Sequence, residues 1–238
     1  VQVIVPNSVI QILLTHNNSY GIELSKITAL ITVNFILQLC IDLLSAFFID
    51  KIGYRAAAIM AHVFAAAGLV SLTVLPEILP SPFVGLLISV VLYAVGGGLI
   101  EVLISPILEA CPTDNKEQAM SLLHSFYCWG HMGVVLLSTV FFALCGIDNW
   151  KILTILWVLI PIANILLFAK VPIYSLHEEG TAGLTLGQLF RKKLFWVFFL
   201  MMLCAGASEQ AVSQWASAFA EQGLGVSKTV GDLAGPMA

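Results

Sequence analysis

At 238 residues, 59% of them hydrophobic and 10% charged, with a mean hydropathy of +0.98, the chain has far too little charge for a soluble globular domain, in which about 25% of residues are charged. The formal net charge of −4 is spread thinly over polar connections, and no basic cluster suits a nucleic acid. Lipid is therefore the solvent, and each apolar run of about 20 residues is read as a transmembrane helix that closes its own backbone hydrogen bonds.

Seven such runs are predicted in chain order, with an eighth beginning. Residues 1–14 form a helix remnant with Pro6 as a bend, followed by polar THNNSYGIELSK and a second run over 27–49. DKIGYR separates this from a third run over 56–75, and PEILPSP turns the chain into a fourth over 83–108. EACPTDNKEQ, GIDNW and the long KVPIYSLHEEGTAGLTLGQLFRKK then bound a fifth run over 119–145, a sixth over 152–169 and a seventh over 194–220. The chain opens at Val1 inside an apolar stretch and closes on GDLAGPMA, which reads as the start of another helix, so a fragment of a longer protein is expected. The expected fold class is all-α, a polytopic membrane helix bundle.

Assigning alternate connections to one side puts Lys51, Arg55, Lys116, Lys170, Arg191, Lys192 and Lys193 on one face, and Lys26, Lys151 and Lys228 opposite. The excess marks the first face as cytoplasmic. A cell-membrane, multi-pass protein is expected, with a bundle over 1–169, a cytoplasmic linker over 170–193 and a second bundle starting over 194–238. The linker ends in TLGQLFRKK, a short amphipathic helix whose basic end meets anionic lipid. The five cysteines have no metal-ligand or redox spacing and read as small core residues; no cofactor is expected.

Glu101 stands out. It lies in YAVGGGLIEVLISPILEA, within an apolar run, where an ionised side chain costs at least a few kcal/mol unless it faces a cavity, finds a partner or binds a proton. Gly96, Gly97 and Gly98 permit close helix approach, and Pro106 frees a carbonyl one turn earlier. Proton exchange at Glu101 is one reading; burial against a neighbouring helix is the other. Asn34, Gln38, Asp42 and Ser45 form a polar stripe at intervals of four, four and three, which lines a pathway or seals against a neighbour. His124 and Tyr127 are one turn apart. On the seventh run Glu209, Gln210, Gln214 and Trp215 can share a wall, amides for hydroxyls and an indole for a sugar ring face; the competing reading makes the amides helix–helix glue. Gln2 lies on the first remnant. His62 packs or hydrogen-bonds, and the role of His131, two turns beyond His124, stays open.

In the turn SAFFIDKIGYRAA, residues Asp50, Lys51, Gly53 and Arg55 occupy the positions of the pattern G-x-L-x-D-[RK]-x-G-[RK]-[RK], so the chain resembles the major facilitator superfamily, with Ala46 in place of the usual Gly. The resemblance implies a six-helix half plus the start of a second half, and a latch made by Asp50, Gly53 and Arg55 that holds the halves in one state. The fourth run, MSLLHSFYCWGHMG and ASEQAVSQWASAF are similar to segments of the fucose-permease-like group. That likeness implies proton-coupled symport of a sugar or similar small polar solute, with Glu101 exchanging the proton and His124, Tyr127, Glu209, Gln210, Gln214, Trp215 and Gln2 around the substrate. The fifth run lacks the Gly-Pro-rich motif of drug antiporters, which favours a symporter or facilitator over efflux. A seven-helix receptor or light-driven protein ranks lower, since no Lys lies in the seventh run to hold retinal, and an intramembrane hydrolase lacks its GxSG or GxGD elements. An enzyme is not expected; the expected partners are a small molecule, a proton and lipid.

Overall fold

The computed structural model describes residues 24–174, 186–227 and 230–231. The chain divides into two compact units, Val1–Leu176 and His177–Ala238. The first unit contains α1 (Leu24–Ile52), α2 (Tyr54–Ile78), α3 (Pro82–Ala110), α4 (Lys116–Cys145), a single 3-10 turn (Ile147–Asn149) and α5 (Trp150–Lys170). The second contains α6 (Leu186–Phe190) and α7 (Lys193–Leu224). Every regular element among the described residues is helical. Five spans in the first unit are long and apolar enough to cross a membrane, and α7, at 32 residues, extends about 48 Å at 1.5 Å per residue. The expected first run lies outside the described residues.

The helices begin and end where the chain's polar punctuation allows. Gly53 separates α1 from α2 with φ +88°, backbone that a side chain bearing a Cβ rarely adopts. Its N–H donates to Ile49 O at 2.8 Å and its carbonyl accepts from Ala57 N at 3.0 Å, so the turn closes one helix and opens the next. Pro82 starts α3, where its missing N–H costs nothing. The turn expected over PEILPSP is shorter than its three prolines suggested. Pro76 is buried inside α2, which continues to Ile78, and the start of α3 packs against it so closely that a Cβ on Gly85 would lie 2.6 Å from Pro76 N.

In lipid there is little hydrophobic gain in bringing helices together, so close packing and polar links must hold the bundle. Along α2, Ala57, Ala61 and Ala65 recur every fourth residue at 0–1% exposure. They face the glycines of α3: a Cβ on Gly96 would sit 2.6 Å from Ala61 O and 2.7 Å from Ala65 N, and one on Gly68 would sit 2.6 Å from Tyr93 Cβ. The two backbones are thus in contact along the seam. On its other side α2 is pinned to α5 by polar links. Arg55 donates to Phe168 O at 3.1 Å, Ala169 O at 2.7 Å and Val171 O at 2.9 Å, capping carbonyls that end the helix unpaired. Further along, Asn164 Nδ2 donates to His62 Nε2 at 3.2 Å and His62 Nδ1 donates to Ala58 O at 2.8 Å, which fixes a neutral tautomer. Lys151 pairs with Glu77 at the far end.

The core has two layers, one around Leu30, Leu72, Val90 and Trp157 and one around Ile49, Ala58, Leu99 and Leu103. The cysteines differ from expectation. Cys40, Cys128, Cys145 and Cys204 are free and exposed on helix surfaces, and Cys111 is partly so. A small apolar residue gains little from burial when the surroundings are lipid tails.

In the second unit, α6 sits within TLGQLFRKK and is stapled to α7. Trp196 Nε1 donates to Phe190 O at 2.9 Å, and Phe190, Phe195, Trp196 and Phe199 pack ring on ring at centroid distances of 5.4–6.1 Å.

Candidate functional site

The site is built on the seam between α1 and α3. Near the start of each helix, Lys26 Nζ lies 6.0 Å from the centre of the Phe83 ring. Further along, a Cβ on Gly98 would approach Ile41 Cγ2 to 3.1 Å and Gln38 O to 3.3 Å. Matching starts and matching middles mean that the helices run in the same direction. One turn beyond Gly98 is Glu101, and one turn beyond Gln38 is Asp42, so the two carboxyls stand at the same level.

The polar stripe of α1 turns into the protein. Asn34, Gln38 and Ser45 are buried, at 2%, 8% and 0% exposure, and Asp42 is half-buried. Asn34 Nδ2 donates to Gln38 Oε1 at 3.3 Å, and Ser45 Oγ donates to Asp42 O at 2.7 Å. Asn34 Oδ1 and Asp42 Oδ1 are enclosed by protein without a hydrogen-bond partner among the described residues. Glu101 itself is exposed on the flank of α3.

The other predicted residues are distributed. His124 is exposed and Tyr127 half-buried on successive turns of α4. Glu209 and Trp215, the latter 40% exposed, stand on α7 in the second unit. Gln2 lies outside the described residues, and for Asp50, Gln210 and Gln214 only the helical backbone is described. Gly53 makes the α1–α2 turn, and Arg55 is engaged within its own unit on the α5 carbonyls. No group of three or more His, Cys, Asp or Glu suited to a metal occurs among the described residues.

Sequence reasoning placed Asp42 on a polar stripe but did not join it to Glu101. The stripe's spacing was the available signal; the neighbour and register of α1 were not readable from it.

Apolar spans, small-residue seams and an ionisable side chain carried inside the bundle define a multi-pass helical membrane protein. The family model of the Major Facilitator Superfamily matches residues 4–238, and the chain belongs to that superfamily. No curated protein and no solved structure matches it significantly. Members of the superfamily are transporters that carry small molecules across membranes.

Proposed function

We propose that this protein couples the movement of a sugar, or a similar small polar solute, to that of a proton by alternating access, in the manner of the fucose-permease-like group it resembles. The observation that carries the reading is the exposure of Glu101 within a membrane span, roughly two to three turns from its end. A carboxyl at that depth is costly against lipid, so an open one belongs to a wetted pathway. In this reading His124, Tyr127, Glu209, Gln210, Gln214, Trp215 and Gln2 are the residues that contact the solute. Residues 170–193 link the halves, and Asp50, Gly53 and Arg55 hold one conformational state at the cytoplasmic face of the cell membrane.

The test uses the protein in vesicles and a panel of labelled hexoses and deoxyhexoses, with uptake followed in the presence and absence of a pH gradient. Glu101→Gln is expected to abolish gradient-driven accumulation while exchange of labelled for unlabelled sugar continues; unchanged accumulation would remove Glu101 from the coupling. Trp215→Ala is expected to weaken substrate binding at normal expression, and an unaltered affinity would take it out of the site. Export of lipophilic cations against the same gradient, with no sugar uptake, would identify a drug antiporter instead.

A further inference from the structure

Asp42 has no part in the transport reading above, yet it is the group that the fold brings level with Glu101. We propose that Asp42 is the second carboxyl of the coupling device: Asp42 and Glu101 hold one proton between them across the α1/α3 seam, and the pair changes protonation during transport. This rests on Glu101 being the coupling group.

Three observations and one physical rule carry it. The close approach at Gly98, within 3.1 Å of Ile41 and 3.3 Å of Gln38 O for an added Cβ, brings α1 and α3 together one turn before the carboxyls. Two ionised carboxylates side by side in a poorly polarisable surrounding repel strongly, and a shared proton is the usual resolution. Asp42 Oδ1 is enclosed without a hydrogen-bond partner among the described residues, and an enclosed carboxylate oxygen needs a donor; a proton held between the two carboxyls provides one. Independently, Asn34, on the same face of α1 and 2% exposed, also has an enclosed Oδ1 without a partner there, its amide being tied to Gln38. Two enclosed oxygens on one face of α1 are therefore without a donor among the described residues, a need that water or a proton would meet.

At this level α2 presents Ala57, Ala58 and Ala61 to the same cluster as Ile41 and Leu99, and its ionisable His62 is bonded to Asn164 of α5. The ionisable groups of α4, which also packs on α3, are His124, Tyr127 and His131 in the middle of the helix. The basic groups Arg55, Lys116 and Lys151 are held by the α5 carbonyls, Glu109 and Glu77 respectively. On release, the O–H bond of the pair breaks and its proton passes to water on the side to which the site is open; uptake reverses this.

Infrared difference spectra of the protein in lipid vesicles, recorded between acidic and alkaline buffer, are expected to contain a protonated-carboxyl band that is lost or displaced in Asp42→Asn as well as in Glu101→Gln and present but displaced in Asp42→Glu. Under a gradient of one pH unit, gradient-driven accumulation of the best labelled hexose should fall about tenfold in Asp42→Asn, the factor that one coupled proton is worth across one pH unit, and exchange should lose its pH dependence. A band and pH profile unchanged in Asp42→Asn but lost in Glu101→Gln would overturn this inference and leave the Glu101 reading standing. A band and accumulation unchanged in Glu101→Gln would overturn the transport reading itself. Should Asp42→Asn not fold, Asp42→Glu decides: a displaced band supports the pair, and an identical one refutes it.

Discussion

The seam between α2 and α3 and the surface of α4 are built from the same apolar vocabulary and are opposite in character. Alanines every fourth residue meet glycines, and backbone touches backbone, so the α2/α3 seam has no room to spare. Along α4 only Val135, Ser138 and Thr139 are buried among the described residues, whereas Leu122, His124, Phe126 and Trp129 are exposed. A helix that must keep its place is made of small residues, whereas α4 keeps large and polar side chains on an open face.

That contrast is sharpest where a side chain is forced into the seam. Gly96→Leu must displace the backbone of Ala61 and Ala65, at a cost of about 3 kcal/mol, and should appear as a large drop in the thermal midpoint of the detergent-solubilised protein; a midpoint unchanged from wild type would mean that α2 and α3 can separate. Gly53→Ala meets no atom within 4 Å, so its whole cost is the strained backbone at φ +88° and ψ 143°, about 1–3 kcal/mol, read in the same measurement. Arg55→Ala removes three bonds from the end of α5; because the guanidinium is exposed, about 1 kcal/mol is expected. Lys151→Ala breaks a surface pair with Glu77 and should cost less than about 0.5 kcal/mol. Smallest of all in stability is His124→Ala on the open face of α4, with no shift expected in the midpoint but weakened sugar exchange; a destabilised variant with normal exchange would reverse the contrast between the two regions.

Much of the architecture was legible because a helix in lipid must satisfy its own backbone. Run boundaries at 27–49, 83–108 and 152–169 differ from α1, α3 and α5 by a few residues at each end, as expected when polar turns rather than packing stop the helix. The short helix before α7 was legible from TLGQLFRKK, and the crowding of Gly96 and Gly98 from the glycine triplet beside Glu101. Less legible were the cysteines, since a residue at home in lipid gives no sign of which side it faces, and Pro76, which a helix accepts near its end.

Hydropathy and punctuation alone determined that the protein is a bundle of membrane-crossing helices, where those helices lie, and that Glu101 is an acid carried into the apolar layer. Only the tertiary structure decided that α1 runs alongside α3 in the same direction, that Asp42 stands level with Glu101, and that Arg55 closes the end of α5. Composition along a chain is set by the solvent each residue meets, whereas register between two helices depends on which small residues let their backbones touch, and that is a property of the pair.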